Sequence, residues 1–285
     1  MNDRTDTAYF TEARSVEAVN ARMAPGADPR LTQIMSALVG HLHSLVKEVG
    51  LTQEEWALAI DFLTRTGQIS DGNRQEYILL SDVLGVSMLV DAIGSRRPEG
   101  ATENTVLGPF YVPGAPAYPM GANISLDGKG ESCLFSGRVI DLEGRPIKGA
   151  RIDVWSDNAE GFYDVQQPDL QPRWNNRGVF ETGEDGRYAF RGIRPVSYPI
   201  PDDGPVGQLL GALGRHPNRP AHLHFIVSAP GHETIVTHTF VDGDPWLASD
   251  AVFGVKSSLI AQMTPGEPGD TLWASRFDFV MCPLG

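Results

Sequence analysis

The sequence is poor in cysteine and in basic residues. Its two cysteines, Cys133 and Cys282, cannot form a disulfide framework, so the 285-residue chain must depend on a hydrophobic core, and a reducing, cytoplasmic setting suits it. Lys and Arg number 23 against 36 Asp and Glu, which gives a net charge of -13. This charge repels phosphate backbones and anionic lipid headgroups, so we expect neither nucleic acid nor a membrane surface as a partner.

Uninterrupted hydrophobic runs are also missing. The uncharged stretch 105–126 is long enough to cross a bilayer, but its prolines, the first at Pro109 and the last at Pro119, would break it as a helix. The N-terminal segment MNDRTDTAYF lacks the basic start and the apolar run of a signal peptide. These absences predict a cytoplasmic protein that is not inserted in a membrane.

Residues 1–104 show the apolar spacing of helices. Thr52 and Glu55 form a capping-box pattern that starts one helix, which Gly67 is expected to end. Another helix, from about Gln75 to Ile93, is apolar on nearly all sides and should be buried in a bundle, against another subunit or against an apolar ligand. A third, long helix is predicted by one stripe at intervals of three and four residues, formed by Leu31, Ile34, Met35, Leu38, Leu42, Leu45, Val46 and Val49.

From residue 105 the pattern changes to short alternating or β-branched runs separated by Gly, Pro, Asp and Asn, which is typical of a β-sandwich. We therefore expect a mainly β protein, with an antiparallel β-sandwich domain over residues 105–285 preceded by an α-helical domain over residues 1–104. The predicted strands are 134–141, 150–156, 178–182, 188–191, 221–228, 234–240 and 275–280.

The sharpest local signal is the pair His222 and His224 in a predicted strand. Residues two apart in a strand point to the same face with Cα atoms about 6.6 Å apart, so both imidazoles can reach one metal ion. The alternative is that hydrogen bonds satisfy both rings without a metal. A cupin-like Fe(II) site would need a Glu soon after the second His, whereas Glu233 comes nine residues later, beyond a Pro-Gly turn.

Two tyrosines are placed where they could complete such a site. Tyr163 comes after the strand that ends near Trp155, and Tyr198 lies in a proline-rich loop. Phenolate oxygen is a hard, anionic ligand that suits Fe(III) better than Fe(II), Cu(I) or Zn. A tyrosine in either place can equally cap a hydrophobic core with its hydroxyl hydrogen-bonded, so both interpretations stay open.

Four segments in a fixed order carry a resemblance to a known family. They are NTVLGPFY at 104–111, GRVIDLEGRPIKGARIDVWSDNAEGFY at 137–163, RPVSYPIPDDGPVG at 194–207 and RPAHLHF at 219–225. Together they resemble the intradiol ring-cleavage dioxygenases, and the resemblance covers nearly the whole chain. It implies a β-sandwich catalytic domain with one non-haem Fe(III) per subunit that cleaves a catechol with O2 to a muconate. It also implies the iron ligands, which are Tyr163, Tyr198, His222 and His224.

The same resemblance makes Arg219, Tyr198 and His238 catalytic. Tyr198 would leave the metal when the substrate binds and act as a base toward a catechol proton, while Tyr163 stays in place. Arg219 would stabilise negative charge on the substrate ring, and its alternative is a surface salt bridge. The resemblance further implies a homodimer formed through the helical domain, with a phospholipid between the helices at that interface.

Three features are similar to the members of the family that cleave hydroxyquinol, 1,2,4-trihydroxybenzene: GFYDVQQPD, YPIPDDGPVG and the dipeptide Thr237-His238. We expect hydroxyquinol as the substrate, with catechol, chlorocatechol and chlorohydroxyquinol as alternatives. Asp82 would accept a hydrogen bond from the third hydroxyl group, unless it is simply solvated. Leu107 and Tyr111 depart from the Phe and His familiar at those places. The substrate-binding wall implied by the resemblance comprises Leu79, Asp82, Val106, Leu107, Gly108, Pro109, Phe110, Ile200, Pro201 and Val252.

One alternative belongs to another functional class. Segments such as GRVIDLEGRPIKGARIDVW also occur in β-sandwich binding modules without catalytic activity. Such a module would need neither the four ligand side chains nor Arg219 beside His222. The absence of any metal requirement would favour the module, whereas iron without a visible charge-transfer band would favour the cupin-like Fe(II) enzyme.

Overall fold

The computed structural model describes residues 9–72 and 74–285. Residues 1–8 belong to the predicted helical domain and to the segment compared with signal peptides, and they lie outside the described residues. The chain divides into two compact units, Met1–Arg65 and Thr66–Gly285. The predicted domain boundary between residues 104 and 105 is inferred from the change of sequence pattern, and it stays a prediction.

Most of the sequence signals for helix ends are found in the structure, with one exception. Asp28 Oδ1 accepts a hydrogen bond from the Leu31 N–H at 2.6 Å, and Gly50 ends that helix with φ 62°. The predicted capping box is confirmed, because Glu55 accepts from the Thr52 N–H at 2.9 Å and Thr52 Oγ1 accepts from the Glu55 N–H at 3.2 Å. The predicted end of this second helix at Gly67 is wrong: the helix continues to Ile69, because a glycine within a helix is tolerated at a modest cost. The helices are α1 (Ser15–Asn20), α2 (Pro29–Val49), α3 (Gln53–Ile69), α4 (Glu76–Val83), α5 (Val86–Gly94) and α6 (Pro205–Ala212).

The prediction of one continuous helix from Gln75 to Ile93 is wrong. The segment forms two helices, α4 and α5, bent by 76°, because Gly85 between them adopts a left-handed conformation with φ 73°. Within the single chain Val83 and Met88 are buried, whereas Leu89 and Val90 are 60% and 65% exposed. Burial of the whole segment within a bundle of this chain is therefore not found among the described residues, and burial against another subunit or an apolar ligand stays a prediction. In the part of the chain that the structure describes, no single helix is long and apolar enough to cross a membrane, and only the bent pair α4 and α5 together meets that test.

The strands follow the alternating sequence pattern. Six predicted strands are confirmed with ends shifted by one or two residues, and the seventh, 275–280, is two short strands interrupted at 277–278. The strands are β1 (Ser132–Asp141), β2 (Arg151–Trp155), β3 (Arg177–Glu181), β4 (Arg187–Ile193), β5 (Tyr198–Pro199), β6 (Asn218–Arg219), β7 (His222–Ser228), β8 (Ile235–Val241), β9 (Ile260–Ala261), β10 (Met263–Pro265), β11 (Trp273–Arg276) and β12 (Phe279–Met281).

Two five-stranded sheets share one core. One contains β1, β4, β10, β11 and β12, and the other has the order β3-β2-β7-β8-β9. The expectation of purely antiparallel sheets is wrong, because β1 pairs in parallel with β11 and β12, and β8 pairs in parallel with β9. Long connections lead to these partners, as parallel pairing requires, whereas β7 and β8 follow one another closely and pair antiparallel.

The core explains which way the histidines of β7 point. Leu223 and Phe225 pack into the core with Phe135 and Phe190 of the facing sheet. Burial of side chains of this size contributes about 1.5–3 kcal/mol each. Because successive side chains of a strand alternate between its two faces, His222 and His224 lie on the face opposite to Leu223.

Candidate metal centre and active site

The two histidines of β7 are buried on the outer face of their sheet. His222 is 0% and His224 2% exposed, and their ring centroids lie 4.9 Å apart. The Nδ1 atom of His222 donates a hydrogen bond to the Pro220 carbonyl oxygen at 2.6 Å. With its hydrogen on Nδ1, the His222 ring presents the lone pair of Nε2 to the site.

Tyr163 and Tyr198 bring their hydroxyl groups to these rings. The Tyr163 hydroxyl lies 3.0 Å from His224 Nε2, and the Tyr198 hydroxyl lies 3.3 Å from His222 Nε2. The two hydroxyl oxygens are 3.2 Å apart. The structure therefore brings together the four side chains predicted as iron ligands, although they come from three separate parts of the chain.

The chemistry of this donor set fits a hard, highly charged cation. Burial raises the pKa of both tyrosines, lowers the pKa of His222 to about 3, and lowers that of His224 well below its usual range. The protein alone therefore keeps neutral phenols and neutral imidazoles. A bound metal ion lowers the pKa of a ligating phenol and accepts imidazole lone pairs, so two phenolates and two imidazoles suit Fe(III).

A third histidine lies against this set. His238 on β8 stands directly opposite His224 in the strand register, with ring centroids 4.1 Å apart. The ring nitrogens of His222, His224 and His238 lie within 4.8 Å of one another and form a group that could hold a metal ion. The predicted catalytic residue His238 is thus beside two predicted ligands, where it can act either as a ligand or as a hydrogen-bond donor.

Arg219 is held at the site by a buried carboxylate. Its Nε donates to Asp250 Oδ1 at 3.2 Å, and its Nη1 lies 3.3 Å from His222 Nε2. The short strands β5 and β6 pair Arg219 with Tyr198. Burial opposes the charge on Arg219, but the Asp250 carboxylate keeps the pKa of Arg219 above its usual range. The salt bridge considered for Arg219 exists, but it is buried and lies beside the candidate ligands.

Comparison with known proteins places this geometry in a family. Two family models match the chain, "Catechol dioxygenase N terminus" over residues 28–102 and "Dioxygenase" over residues 106–283. The chain is 58% identical to the hydroxyquinol 1,2-dioxygenase of Rhizobium sp. strain MTP-10005, over 99% of both chains. The chain belongs to the intradiol ring-cleavage dioxygenases.

Other members of this family are also similar to the chain. The 6-chlorohydroxyquinol 1,2-dioxygenase of Cupriavidus pinatubonensis is 54% identical, over 96% of this chain and 98% of that protein. The solved structure of a hydroxyquinol 1,2-dioxygenase from Pseudomonas putida DLL-E4 superposes with a TM-score of 0.92 at 47% identity, over 96% of this chain and 99% of that one. The likeness therefore extends over the helical region as well as over the sheets.

Parts of the predicted substrate wall of this intradiol dioxygenase lie against the ligand residues. Phe110 stacks on Tyr163 with ring centroids 4.7 Å apart. Burial raises the pKa of Asp82, and a hydrogen bond with Ser87 and the positive charge of Arg219 oppose this shift. The other members stay predictions: Leu79 and Val106 are half-buried, Ile200 and Val252 are buried, and Leu107, Pro109 and Pro201 are exposed.

Two glycines let the backbone pass close to the ligands. Gly108 has φ 79°, and a Cβ atom there would lie 2.7 Å from His224 Cε1. Gly161 has φ 82°, and a Cβ atom there would lie 2.9 Å from Tyr198 Cβ. A side chain at either position would displace a ligand residue. Gly108 belongs to the predicted wall, whereas Gly161 is marked in the sequence only by its place two residues before Tyr163.

A row of side chains that supports His224 contains two residues that the sequence reasoning missed, Arg177 and Trp155. The Trp155 indole stacks on the His224 ring, with centroids 4.8 Å apart and planes at 10°, which fixes the plane of that imidazole. No signal along the chain shows that β2 and β7 pair in the register that makes this contact. The row crosses β3, β2, β7 and β8 and consists of Arg177, Trp155, His224 and His238.

A buried ion pair, also missed, fixes the loop that carries Tyr163. Asp164 Oδ1 accepts from Arg177 Nε at 2.7 Å, and Asp164 Oδ2 accepts from the Trp174 N–H at 2.9 Å. The Arg177 guanidinium carbon lies 5.9 Å from the centroid of the Tyr163 ring. The pair therefore anchors the residue next to Tyr163 and places a positive charge beside its ring.

Proposed function

We propose that this intradiol dioxygenase cleaves hydroxyquinol with O2 to 3-hydroxy-cis,cis-muconate, the enol form of maleylacetate, in the breakdown of aromatic compounds. The observation that carries the proposal is the convergence of two phenol oxygens and two imidazole nitrogens, in contacts of 3.0–3.3 Å, beside a buried arginine. Relatives named hydroxyquinol 1,2-dioxygenase, 47–58% identical to this chain, support the choice of substrate.

The four converging side chains are the proposed ligands of one Fe(III) per subunit. When bound, Fe(III) supplies a Lewis acid that holds the two adjacent substrate oxygens as phenolates and makes the ring electron-rich enough to react with O2. Two tyrosinates also offset most of the ferric charge, which matters because an uncompensated charge in a buried site is costly. The ligands would be Tyr163, Tyr198, His222 and His224.

The two tyrosines have different proposed roles. Tyr163 is 0% exposed and is covered by the ring of Phe110, so it stays in place. Tyr198 is 8% exposed and lies in the two-residue strand β5 within a proline-rich loop. As a phenolate, the Tyr198 oxygen would accept the proton of one substrate hydroxyl group.

Arg219 supplies a fixed positive charge for the reaction. Asp250 holds the guanidinium, so the charge needs no reorganisation when negative charge develops on the substrate ring. Because Arg219 is only 5% exposed, water competes little with this interaction. Arg219 thus acts on the ring of the substrate, while Tyr198 acts on one of its hydroxyl protons.

The proposed reaction is tested with the iron-loaded protein, hydroxyquinol and ¹⁸O2. We expect one O2 consumed for each ring opened, and mass spectrometry should find both oxygen atoms in a muconate-type product. Cleavage beside the adjacent hydroxyl groups, rather than between them, would contradict intradiol chemistry. Lack of O2 uptake with every diol and triol offered would contradict the enzymatic proposal itself.

Chlorinated hydroxyquinol is the second candidate substrate. The 54% identity to the 6-chlorohydroxyquinol 1,2-dioxygenase favours it, and a 41% identical catechol 1,2-dioxygenase of Candida albicans keeps catechol as a further alternative. The values of kcat/KM for hydroxyquinol, 6-chlorohydroxyquinol, chlorocatechol and catechol rank the candidates. A higher value for catechol than for hydroxyquinol would overturn the proposed preference.

Asp82 is proposed to select hydroxyquinol over catechol. The Asp82→Leu variant should lower kcat/KM for hydroxyquinol about 10- to 100-fold, because a hydrogen bond to a charged group contributes about 1.5–3 kcal/mol. Catechol lacks the third hydroxyl group, so its kcat/KM should change little. Asp82→Asn keeps an acceptor oxygen and serves as the matched control. An unchanged ratio of the two kcat/KM values in Asp82→Leu would rule out this role.

We further propose a cytoplasmic homodimer joined through the helical region. Along α2, apolar side chains such as Leu31, Leu42 and Val49 are 50–57% exposed in the single chain. Exposed apolar stripes of this length are typical of subunit interfaces, and a phospholipid within the interface would cover further apolar surface. Sedimentation equilibrium tests the homodimer, and a monomer would contradict it. Mass spectrometry of lipid extracted from the purified protein tests the presence of the phospholipid.

A further inference from the structure

His238 has one ring nitrogen bonded and the other free. Its side chain is 0% exposed, and its ring centroid lies 4.1 Å from that of His224 and 5.0 Å from that of His222. Nδ1 is hydrogen-bonded to the Thr105 hydroxyl. Nε2 is buried and has no hydrogen-bond partner among the residues that the structure describes. A buried ring nitrogen of this kind calls for a partner from outside the chain.

Thr105 is held in place by the backbone of the strand that carries His238. The Thr105 N–H donates to the Val236 carbonyl at 2.8 Å, and the Val236 N–H donates to Asn104 Oδ1 at 3.1 Å. Residues 104 and 105 therefore run along β8 and keep the Thr105 hydroxyl at His238 Nδ1. Thr105 is buried, with 3% of the residue exposed.

The number of hydrogens available decides whether the Thr105 hydroxyl or His238 Nδ1 is the donor in their hydrogen bond. If Nδ1–H donated to the Thr105 hydroxyl oxygen, the hydroxyl hydrogen would need a second acceptor, and the described residues provide none for it. If the hydroxyl donates to Nδ1, the Thr105 hydroxyl and Nδ1 are both satisfied, and only the ring hydrogen on Nε2 is left for an acceptor from outside the chain. The second arrangement is favoured, because the first leaves two buried groups without a partner among the described residues, the hydroxyl hydrogen and Nε2, whereas the second leaves only Nε2–H.

We propose that Thr105 is a positioning residue that fixes His238 as the Nε2–H tautomer, so that His238 donates a hydrogen bond to an oxygen atom of the substrate and does not ligate the metal. The other tautomer would present an Nε2 lone pair and add a third imidazole to His222 and His224. Thr105 therefore decides between a site of two tyrosines and two histidines and a site of three histidines. The inference rests on the proposed function in one point only, namely that the acceptor of the His238 hydrogen bond is an oxygen atom of the substrate.

The tautomer can be measured directly by NMR. The protein is labelled with ¹⁵N-histidine and loaded with Ga(III), which has the charge of Fe(III) and no unpaired electrons. We expect two-bond ¹H–¹⁵N correlations to show His238 protonated at Nε2 and unprotonated at Nδ1. Protonation at Nδ1, or an Nε2 shift that indicates coordination to Ga(III), would overturn the proposal. The measurement needs no turnover, so it stays informative if wild-type protein fails to cleave hydroxyquinol.

Variants at Thr105 test whether its hydroxyl sets the tautomer. Thr105→Val keeps the shape without the hydroxyl and should mix the His238 tautomers and lower kcat about 10- to 100-fold. KM should change little, and the tyrosinate charge-transfer band should persist, because Tyr163 and Tyr198 remain in place. The band should shift only in the fraction of molecules whose His238 presents an Nε2 lone pair to the metal. Thr105→Ser should restore both tautomer and kcat. A wild-type tautomer and wild-type kcat in Thr105→Val would contradict the assignment.

Thr237→Val is the matched control for this experiment. The Thr237 hydroxyl is also buried and on β8, but it donates to the Glu103 carbonyl at 2.8 Å and makes no hydrogen bond to the His238 ring. The control should leave the His238 tautomer unchanged, and an equal change of tautomer in both variants would show that neither hydroxyl is specific. If Thr105→Val does not fold, the wild-type and Thr105→Ser spectra still decide the question.

Discussion

Tyr163→Phe is expected to abolish ring cleavage, with kcat lowered by about 1,000-fold or more, and to weaken and shift the visible band of the ferric protein, leaving the part due to Tyr198. The substitution deletes one phenolate oxygen and leaves the ring that stacks on Phe110. Tyrosinate bound to Fe(III) gives a broad red-brown charge-transfer band, which imidazole ligands do not produce. The measurement is the visible spectrum of the iron-loaded protein, with iron content and O2 uptake determined on the same sample.

Tyr188→Phe is the matched control for this prediction. Tyr188 is 3% exposed, and its hydroxyl donates to the Phe277 carbonyl at 2.7 Å within the core between the sheets. Its loss should lower the free energy of unfolding by about 1 kcal/mol while colour and activity stay. A wild-type band in Tyr163→Phe would exclude Tyr163 as a ligand. A wild-type protein that stays colourless after iron loading would exclude both Tyr163 and Tyr198.

The sequence predicts those parts of the molecule whose pattern is local. The capping box of Thr52 and Glu55 lies within four residues, and the alternation around His222 and His224 shows a strand with one face free for a ligand. The break at Gly85 was missed because one glycine between two apolar runs does not reveal a left-handed conformation. The parallel partners of β1 were missed because they lie far away along the chain.

The same contrast between local patterns and distant contacts applies to the ligands and to the residues that support them. Spacing alone gives a pair of histidines, and only the family resemblance indicates which tyrosines join them. Trp155 reaches His224, and Asp250 reaches Arg219, through strand register and loop packing that have no signature in the linear order. Such residues orient the candidate ligands and tune the electrostatics of the centre, and only the folded structure shows them.

Arg219→Ala is expected to cost both activity and stability, for two separable reasons. Loss of the fixed positive charge beside the substrate should lower kcat about 100- to 1,000-fold. The variant also leaves the Asp250 carboxylate buried without its partner, which should lower the free energy of unfolding by about 3–5 kcal/mol at pH 7. Activity is measured by O2 uptake with hydroxyquinol, and stability is measured by denaturant unfolding.

The loss of stability should depend on pH. Burial alone would raise the pKa of Asp250, but Arg219 brings it below its usual range in the wild-type protein. A carboxyl group whose pKa is lowered by folding contributes stability above its unfolded pKa and loses that contribution as the pH falls through its folded pKa. The difference in stability between wild type and Arg219→Ala should therefore be largest near neutral pH and shrink in acid, where Asp250 is protonated in both.

A second substitution separates the two effects of Arg219→Ala. Asp250→Asn removes the uncompensated charge and keeps an oxygen that can accept from the Gly254 N–H, now bonded at 2.8 Å. The double variant should recover most of the lost stability and none of the lost kcat. Arg191→Ala, which breaks a partly exposed pair with Asp270, controls for removing an arginine and should change stability by less than about 1 kcal/mol. If the double variant regained kcat along with stability, the activity lost in Arg219→Ala would come from unfolding, and Arg219 would have no part in the chemistry.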